Sequence, residues 1–166
     1  MIQRVSSLEQ IKTVVTLAHE IWHEHFPSVI TEAQIKYMLG KFLCAPVIQA
    51  QIQEGFEYGL LTEGTTAQGF FAIEPQADHR LFLSKLYVRH QARGRGVASE
   101  AMAYMEKLCR TQHLTSIWLT VNIRNDLAIA VYKGIGFEVV DTQVKDIGEG
   151  YVMDDYLMEK KLAIGA

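Results

Sequence analysis

The 166-residue sequence has only two cysteines, Cys44 and Cys109, and no C-x-x-C spacing. It therefore encodes neither a disulfide framework nor a cysteine zinc site, and both thiols are expected as reduced core residues. Three prolines and no Pro/Ser-rich stretch leave no recognisable linker, and there is no internal repeat or low-complexity tract. No run of about 18 uncharged apolar residues occurs, and Met1-Ile2-Gln3-Arg4-Val5 does not open a signal-peptide pattern. A cytoplasmic protein without a membrane span is the expectation. An excess of positive charge is also missing: 16 Lys and Arg against 19 Asp and Glu give a net charge of -3, which argues against partnership with nucleic acid or an anionic membrane.

What is present is globular composition, 49% hydrophobic and 21% charged with 12 glycines, in a chain long enough to bury a core. One domain over residues 1–166 is expected. Charge is uneven along it: residues 1 to 75 hold eight acids and four bases, residues 76 to 166 eleven acids and twelve bases. If two ligands bind, this favours a cationic one against the first half and an anionic one against the second.

The elements alternate in type. Ile2 to Val5 reads as a short strand. Ser7-Leu8-Glu9-Gln10 has the S-x-x-Q capping form, and Leu8, Ile11, Val15, Ala18 and Trp22 recur at helical spacing. Thr31-Glu32-Ala33-Gln34 repeats the capping signal for a second helix, and Pro46 suits the first turn of a third ending before Gly55. Strand-like runs follow at Phe56 to Thr62, Ala67 to Glu74 and Arg80 to Val88, and hairpins are the simple way to join them. After Gly96 come a long helix, a strand at Ser116 to Val121, a helix from about Asp126 to Lys133, and strands at Phe137 to Lys145 and Tyr151 to Lys160. That order implies at least one crossover and a mixed sheet in an α/β fold.

The segment Leu83-Ser84-Lys85-Leu86-Tyr87-Val88-Arg89-His90-Gln91-Ala92-Arg93-Gly94-Arg95-Gly96-Val97-Ala98 runs from a strand through a loop with two glycines and three arginines into a helix. Glycines let backbone N–H groups converge on an anion, and the helix N-terminus adds partial positive charge, so a pyrophosphate is the expected guest. G-x-x-x-x-G-K-[ST] is absent, and Gly94-Arg95-Gly96 lacks the third glycine of G-x-G-x-x-G. The pattern that fits is Q/R-x-x-G-x-G/A, as Gln91-Ala92-Arg93-Gly94-Arg95-Gly96. A second segment, Asn125-Asp126-Leu127-Ala128-Ile129-Ala130-Val131-Tyr132-Lys133-Gly134-Ile135-Gly136-Phe137, fills N-x-x-A-x-x-x-Y-x-x-x-G-F. Asn125 stands where it can cap a helix or reach a ligand, with Tyr132 about two turns along the same face.

Together these signatures resemble the GNAT superfamily of acetyl-CoA-dependent N-acetyltransferases, strongly from Ala67 to Phe137 and only in topology before residue 60. The resemblance implies a central twisted mixed sheet flanked by helices. It implies direct transfer of acetyl from acetyl-CoA to an amine, with no metal, in a cleft between the strands ending at Val88 and Val121. The amides of Arg93, Gly94, Arg95, Gly96, Val97 and Ala98 would hold the pyrophosphate, with charge from Arg93 or Arg95. Leu86, Tyr87 and Val88 would pair with the pantetheine arm and polarise the thioester carbonyl. Asn125 would contact the cofactor, and Tyr132 would protonate the leaving thiolate.

Many members place a glutamate on the strand before the loop, but here that strand reads Leu81-Phe82-Leu83-Ser84-Lys85. The candidate bases are Ser84 relaying through water, or Glu20, His23 and His25 from the N-terminal helices, with deprotonation by bulk water as the plain alternative. His19-Glu20-Ile21-Trp22-His23 also spells H-E-x-x-H, a zinc-peptidase pattern that needs a third ligand and a cleft. It reads instead as two helix-boundary histidines beside Trp22. The acidic first half favours a small cationic amine as acceptor over a protein N-terminus or lysine. A non-catalytic module that binds acetyl-CoA or CoA is the competing class, and the closing strands are a candidate homodimer surface.

Overall fold

The computed structural model describes residues 1–163. Strand β1 (Ile2–Arg4) leads into helix α1 (Leu8–His25), which starts where its cap predicts: Gln10 N donates to Ser7 Oγ at 3.1 Å and Ser7 N to Gln10 Oε1 at 3.0 Å. Helix α2 (Glu32–Phe42) has only half of that device. Gln34 N donates to Thr31 Oγ1 at 3.1 Å, but the Gln34 side chain donates to the Val152 carbonyl at 3.3 Å instead of folding back. Gln34 is thus drawn into a tertiary contact that ties α2 to the last hairpin. Helix α3 (Ala45–Gln53) carries Pro46 in its first turn and is followed by Gly55 at φ 112°.

Strands β2 (Glu57–Glu63), β3 (Thr66–Pro75) and β4 (Arg80–Val88) form the expected antiparallel hairpins. Helix α4 (Val97–Gln112) makes the crossover to β5 (Ser116–Asn122), which lies parallel to β4. Helix α5 (Asp126–Gly134) leads to the hairpin of β6 (Glu138–Gly148) and β7 (Tyr151–Lys161). The seven strands order as β1-β2-β3-β4-β5-β7-β6, a mixed sheet flanked by helices as the sequence predicts.

The sheet separates two cores. On one face Val14, Ile21 and Trp22 of α1 and Leu39 of α2 pack on Tyr58, Phe70 and Ala72. On the other Ala101, Met105 and Cys109 of α4 pack on Phe71, Ile73 and Leu81. One feature of β4 does not show in the sequence: Ile73 pairs with Leu83 and Ala72 with Lys85, so Ser84 is a bulge with no partner on β3. The extra residue shifts the side-chain alternation by one. Leu81 and Leu83 face α4 before it, Leu86 and Val88 face α4 after it, and Tyr87 turns to the α1 core. Among the described residues no helix is long and apolar enough to cross a membrane.

Candidate active site

β4 and β5 stay together for only three residue pairs, Arg80 with Ser116, Leu81 with Ile117 and Phe82 with Trp118. Beyond them each strand follows its other neighbour, β4 keeping β3 to Val88 and β5 keeping β7 to Asn122. The closed end of this V is pinned by the stacked rings of Phe82 and Trp118, whose centroids lie 4.4 Å apart, with the Arg80 guanidinium 5.1 Å from the indole. Past the split, backbone groups of β4 that would pair with β5 face a gap.

A cavity of about 760 Å³ opens there and reaches both faces of the sheet. Its α4 side is formed by Val97, Met102, Leu86, Val121 and Tyr132, and its α1 side by Trp22, Phe26, Ile30, Met38, Tyr87 and Met153. Leu127 and Val131 of α5 also line it and remain 55% and 50% exposed, an apolar surface that a long ligand can cover.

The glycine loop forms one end. A 3-10 turn at His90–Ala92 precedes Gly94 and Gly96, whose φ angles of 79° and 80° belong to the left-handed region. A Cβ at either glycine would meet nothing within 4 Å, so their place is fixed by backbone conformation and leaves open space. Helix α4 has no side-chain cap, and its first intrahelical bond is Glu100 N to Gly96 O at 2.9 Å. The amides of Val97, Ala98 and Ser99 precede that bond and are left for an anion. Arg93, Gly94, Gly96, Val97 and Ala98 line the cavity, whereas Arg95 turns away to Glu63 at 3.3 Å. Of the two arginines the sequence offered for phosphate charge, the geometry favours Arg93.

Asn125 is 7% exposed and joins two elements across the cavity. Its Oδ1 accepts from Ala128 N at 3.3 Å, capping α5, and lies 3.2 Å from His25 Nε2. An oxygen acceptor there places the imidazole proton on Nε2. Tyr132 lines the cavity from α5 with its ring edge-on to Phe137, centroids 5.5 Å apart, and burial pushes its hydroxyl up to about 12. Burial, with the neighbouring acidic groups Tyr132, Tyr58 and Asp155, raises the Tyr87 hydroxyl as well. These phenols stay protonated through the physiological range.

The structure does not bring all candidate bases together. His25 and Ser84 line the cavity, but Glu20 and His23 do not. Glu20 holds Arg89 through two bonds, Arg89 Nε to Oε2 at 2.7 Å and Nη2 to Oε1 at 3.2 Å. With the Gln91 amide turned so that its oxygen meets Arg89, that oxygen accepts from Nη2 at 2.8 Å. Glu20 thus ties α1 to the first residue of the glycine loop. His23 Nδ1 lies 3.0 Å from Glu32, and the His19 and His23 rings are 6.0 Å apart. Among the described residues no third His, Cys, Asp or Glu joins them as a metal ligand.

A part-exposed ion pair of this kind contributes at most about 1 kcal/mol. Glu20→Gln is therefore expected to raise the KM for acetyl-CoA by a few-fold while leaving kcat and its pH profile unchanged, as steady-state kinetics across pH would read.

Of the ionisable cavity residues that escaped sequence reasoning, Glu106 and Lys160 pair with each other at 2.8 Å, and Lys85 and Asp155 stand apart from them. Lys85 donates to Ser84 Oγ at 3.0 Å and lies 5.7 Å from the Tyr58 ring, and burial lowers its pKa to about 8. Asp155 of β7 is 2% exposed, and burial, reinforced by Asp154 and opposed by Lys145, raises its pKa to about 6. Both sit in alternating strands, where a polar residue reads as solvent-facing, and the apposition that buries them is tertiary.

A family model described as the acetyltransferase (GNAT) family matches residues 16–137. No curated protein matches the sequence. Among solved structures, the fold is similar to the PaiA N-acetyltransferase of Thermoplasma acidophilum in complex with coenzyme A, with a TM-score of 0.80, 20% identity, and coverage of 98% of this chain and 99% of that one. A GCN5-related N-acetyltransferase structure from Rhodopseudomonas palustris gives 0.82 at 15% identity, covering 98% and 95%. Ard1 of Thermoplasma volcanium gives 0.72 at 21% identity, covering 98% and 97%.

Proposed function

Because this chain belongs to the GNAT acetyltransferase family and so is an acetyl-CoA-dependent acetyltransferase, we propose that it acetylates the nitrogen of a primary amine, that of a small cationic molecule, in the gap between β4 and β5. The observation that carries this reading is the cavity that runs from the uncapped start of α4, past the unpaired edge of β4, to Tyr132.

The residues present fit the cofactor. The open glycines and free amides at α4 suit a pyrophosphate, and the exposed apolar side chains of α5 suit the rest of a long ligand. When bound, acetyl-CoA supplies an acetyl group activated as a thioester. The chain's part is to orient and to move protons. Amides of Leu86 and Val88, at the strand edge that has lost β5, are the donors available to a carbonyl oxygen whose charge grows during attack, whereas the Tyr87 amide alternates to the β3 side.

Acylating an ammonium releases two protons from nitrogen, one before attack and one as the amide forms. Tyr132 Oη holds a proton beside the apolar wall, and its pKa of about 12 exceeds the roughly 8.5 of a free thiol. At that height the phenol stabilises a leaving thiolate by donating a hydrogen bond, and passes its proton on only as the nitrogen returns one. Asn125 and His25, locked to each other, hold α5 against α1 so that Tyr132 stays at the gap.

The test is to incubate the protein with acetyl-CoA and separate panels of primary amines, lysine peptides and free N-terminal peptides, following thiol release and the acylated product. Fastest release with a small amine supports the reading, and release with peptides alone contradicts its acceptor class.

A further inference from the structure

The first amine proton needs an acceptor, and β4 supplies no carboxylate between Leu81 and Lys85. A carboxylate does reach the cavity from another strand. Asp155 lines it at 2% exposure, and its Oδ2 has no hydrogen-bond partner among the described residues. Buried acids are ordinarily paired or hydrogen-bonded, because an orphaned one carries its full desolvation penalty. Among the described residues three buried side-chain atoms lack partners: Trp22 Nε1, Gln68 Oε1 and Asp155 Oδ2. Two of the three, those of Trp22 and Asp155, belong to residues lining this cavity.

Strand geometry fixes the side on which Asp155 stands. Tyr151 and Met153 of β7 pack with the α1 core and Tyr156 and Met158 with the α4 core, so Asp155 faces α1. It pairs in register with Asn122, the last residue of β5, and its charge acts on the Tyr87 hydroxyl across the gap. The carboxylate therefore lies on the face opposite Val97 and Tyr132, with walls formed by Trp22, Phe26, Ile30, Met38 and Met153.

We infer that Asp155 is the catalytic carboxylate of the acceptor chamber, binding the ammonium of a primary amine carried on an apolar body and taking its proton. The inference rests on the acetyltransferase reading of the cavity. An ammonium completes the unpaired Oδ2, and the aromatic and thioether walls take an alkyl or aryl body. The step balances as one N–H proton passing to Oδ2, which leaves a neutral amine and a neutral carboxylic acid. The apolar chamber favours that neutral pair over the ion pair it replaces. The lone pair then attacks the acetyl carbon, and the proton on Asp155 returns to water when product leaves.

The charged and titratable groups around Asp155 are Asp154 on its own strand, Lys145 on β6 and Tyr87 on β4, while its β5 partner Asn122 is neutral. His25 and Tyr132 enter the same cavity from α1 and α5, and Lys85 from β4. Only the deprotonated carboxylate can accept a proton, so activity falls as pH drops through about 6.

The test compares the wild type with Asp155→Asn, which keeps shape and removes the base, using 2-phenylethylamine as probe. Three readouts are taken: the midpoint rise given by CoA, the Kd of the amine with CoA present, and kcat/KM for thiol release over about pH 5 to about pH 9. Expected are an unchanged CoA response, an amine Kd weakened about tenfold or more, kcat/KM lowered about a hundredfold or more, and loss of the acid limb. Amine Kd and kcat/KM within about twofold of wild type overturn the inference, as does a wild type that binds CoA but not the amine; in both cases the cofactor reading stands. A wild type whose midpoint CoA does not raise overturns the cofactor reading and this inference with it.

Discussion

Tyr132→Phe is expected to lower kcat by about a hundredfold to a thousandfold while leaving the affinity for acetyl-CoA within a factor of about two. The substitution removes one oxygen and keeps the ring, so the edge-on contact with Phe137 at 5.5 Å and the apolar wall it completes are retained. What is lost is the only proton that α5 holds at the cavity. Burial keeps that proton in place up to about 12, so the defect should be uniform from acid to neutral pH and should not take the form of a shifted limb. Steady-state kinetics with a calorimetric Kd for acetyl-CoA separate the two effects. A variant within about threefold of wild type in kcat would remove Tyr132 from the chemistry and leave it as a packed aromatic.

Gly69→Ala is expected to have the largest effect on stability. Gly69 pairs with Val88 at the end of β4 that has lost β5, and the two strands approach closely. A Cβ at Gly69 would lie 2.3 Å from the Tyr87 carbonyl oxygen and 3.1 Å from the Val88 Cα. Both are backbone atoms, so no rotamer change relieves the clash and β3 must part from β4. Overpacking of this kind destabilises by about 3 kcal/mol, which for a chain of this length lowers Tm by about 6 to 12 °C. The same displacement moves Leu86, Tyr87 and Val88, so acetyl-CoA affinity and kcat should fall together. Gly40→Ala is the control. It lies inside α2 with nothing within 4 Å of its Cβ, so the substitution should raise stability by about 0.5 to 1 kcal/mol. An unchanged Tm for Gly69→Ala, read by thermal unfolding, would contradict the close approach of the two strands.

The elements were legible where local chemistry determines them. The Ser7 cap, the Pro46 turn and the glycine loop that opens α4 each depend on a few neighbouring atoms, and the structure puts them where the sequence does. Thr31 shows the limit of that reading, since its partner Gln34 is diverted to Val152, 118 residues away. Strand order was not legible, because nothing in β6 or β7 states that β7 inserts beside β5. The Ser84 bulge was hidden for a related reason. Alternation along β4 looks regular when read without its partner, and only pairing with β3 exposes the extra residue.

The site divides the same way. The loop and α5 carry their chemistry in contiguous residues, so Arg93, Gly96, Asn125 and Tyr132 could be singled out and all line one cavity. The acid–base groups of the acceptor side depend on tertiary apposition. Glu20 looked available on α1 but is engaged by Arg89, and the carboxylate that lines the chamber, Asp155, comes from the last strand.

The central claim is that the gap between β4 and β5 holds acetyl-CoA, and the most direct measurement is a thermal-unfolding titration with acetyl-CoA, CoA and NAD. A ligand that binds only the folded state raises the midpoint with concentration. The account predicts a rise with both CoA species and none with NAD, reduced when Gly96 is replaced by valine, because that side chain would strain the left-handed turn and fill the space before α4. No rise with acetyl-CoA at millimolar concentration would contradict it.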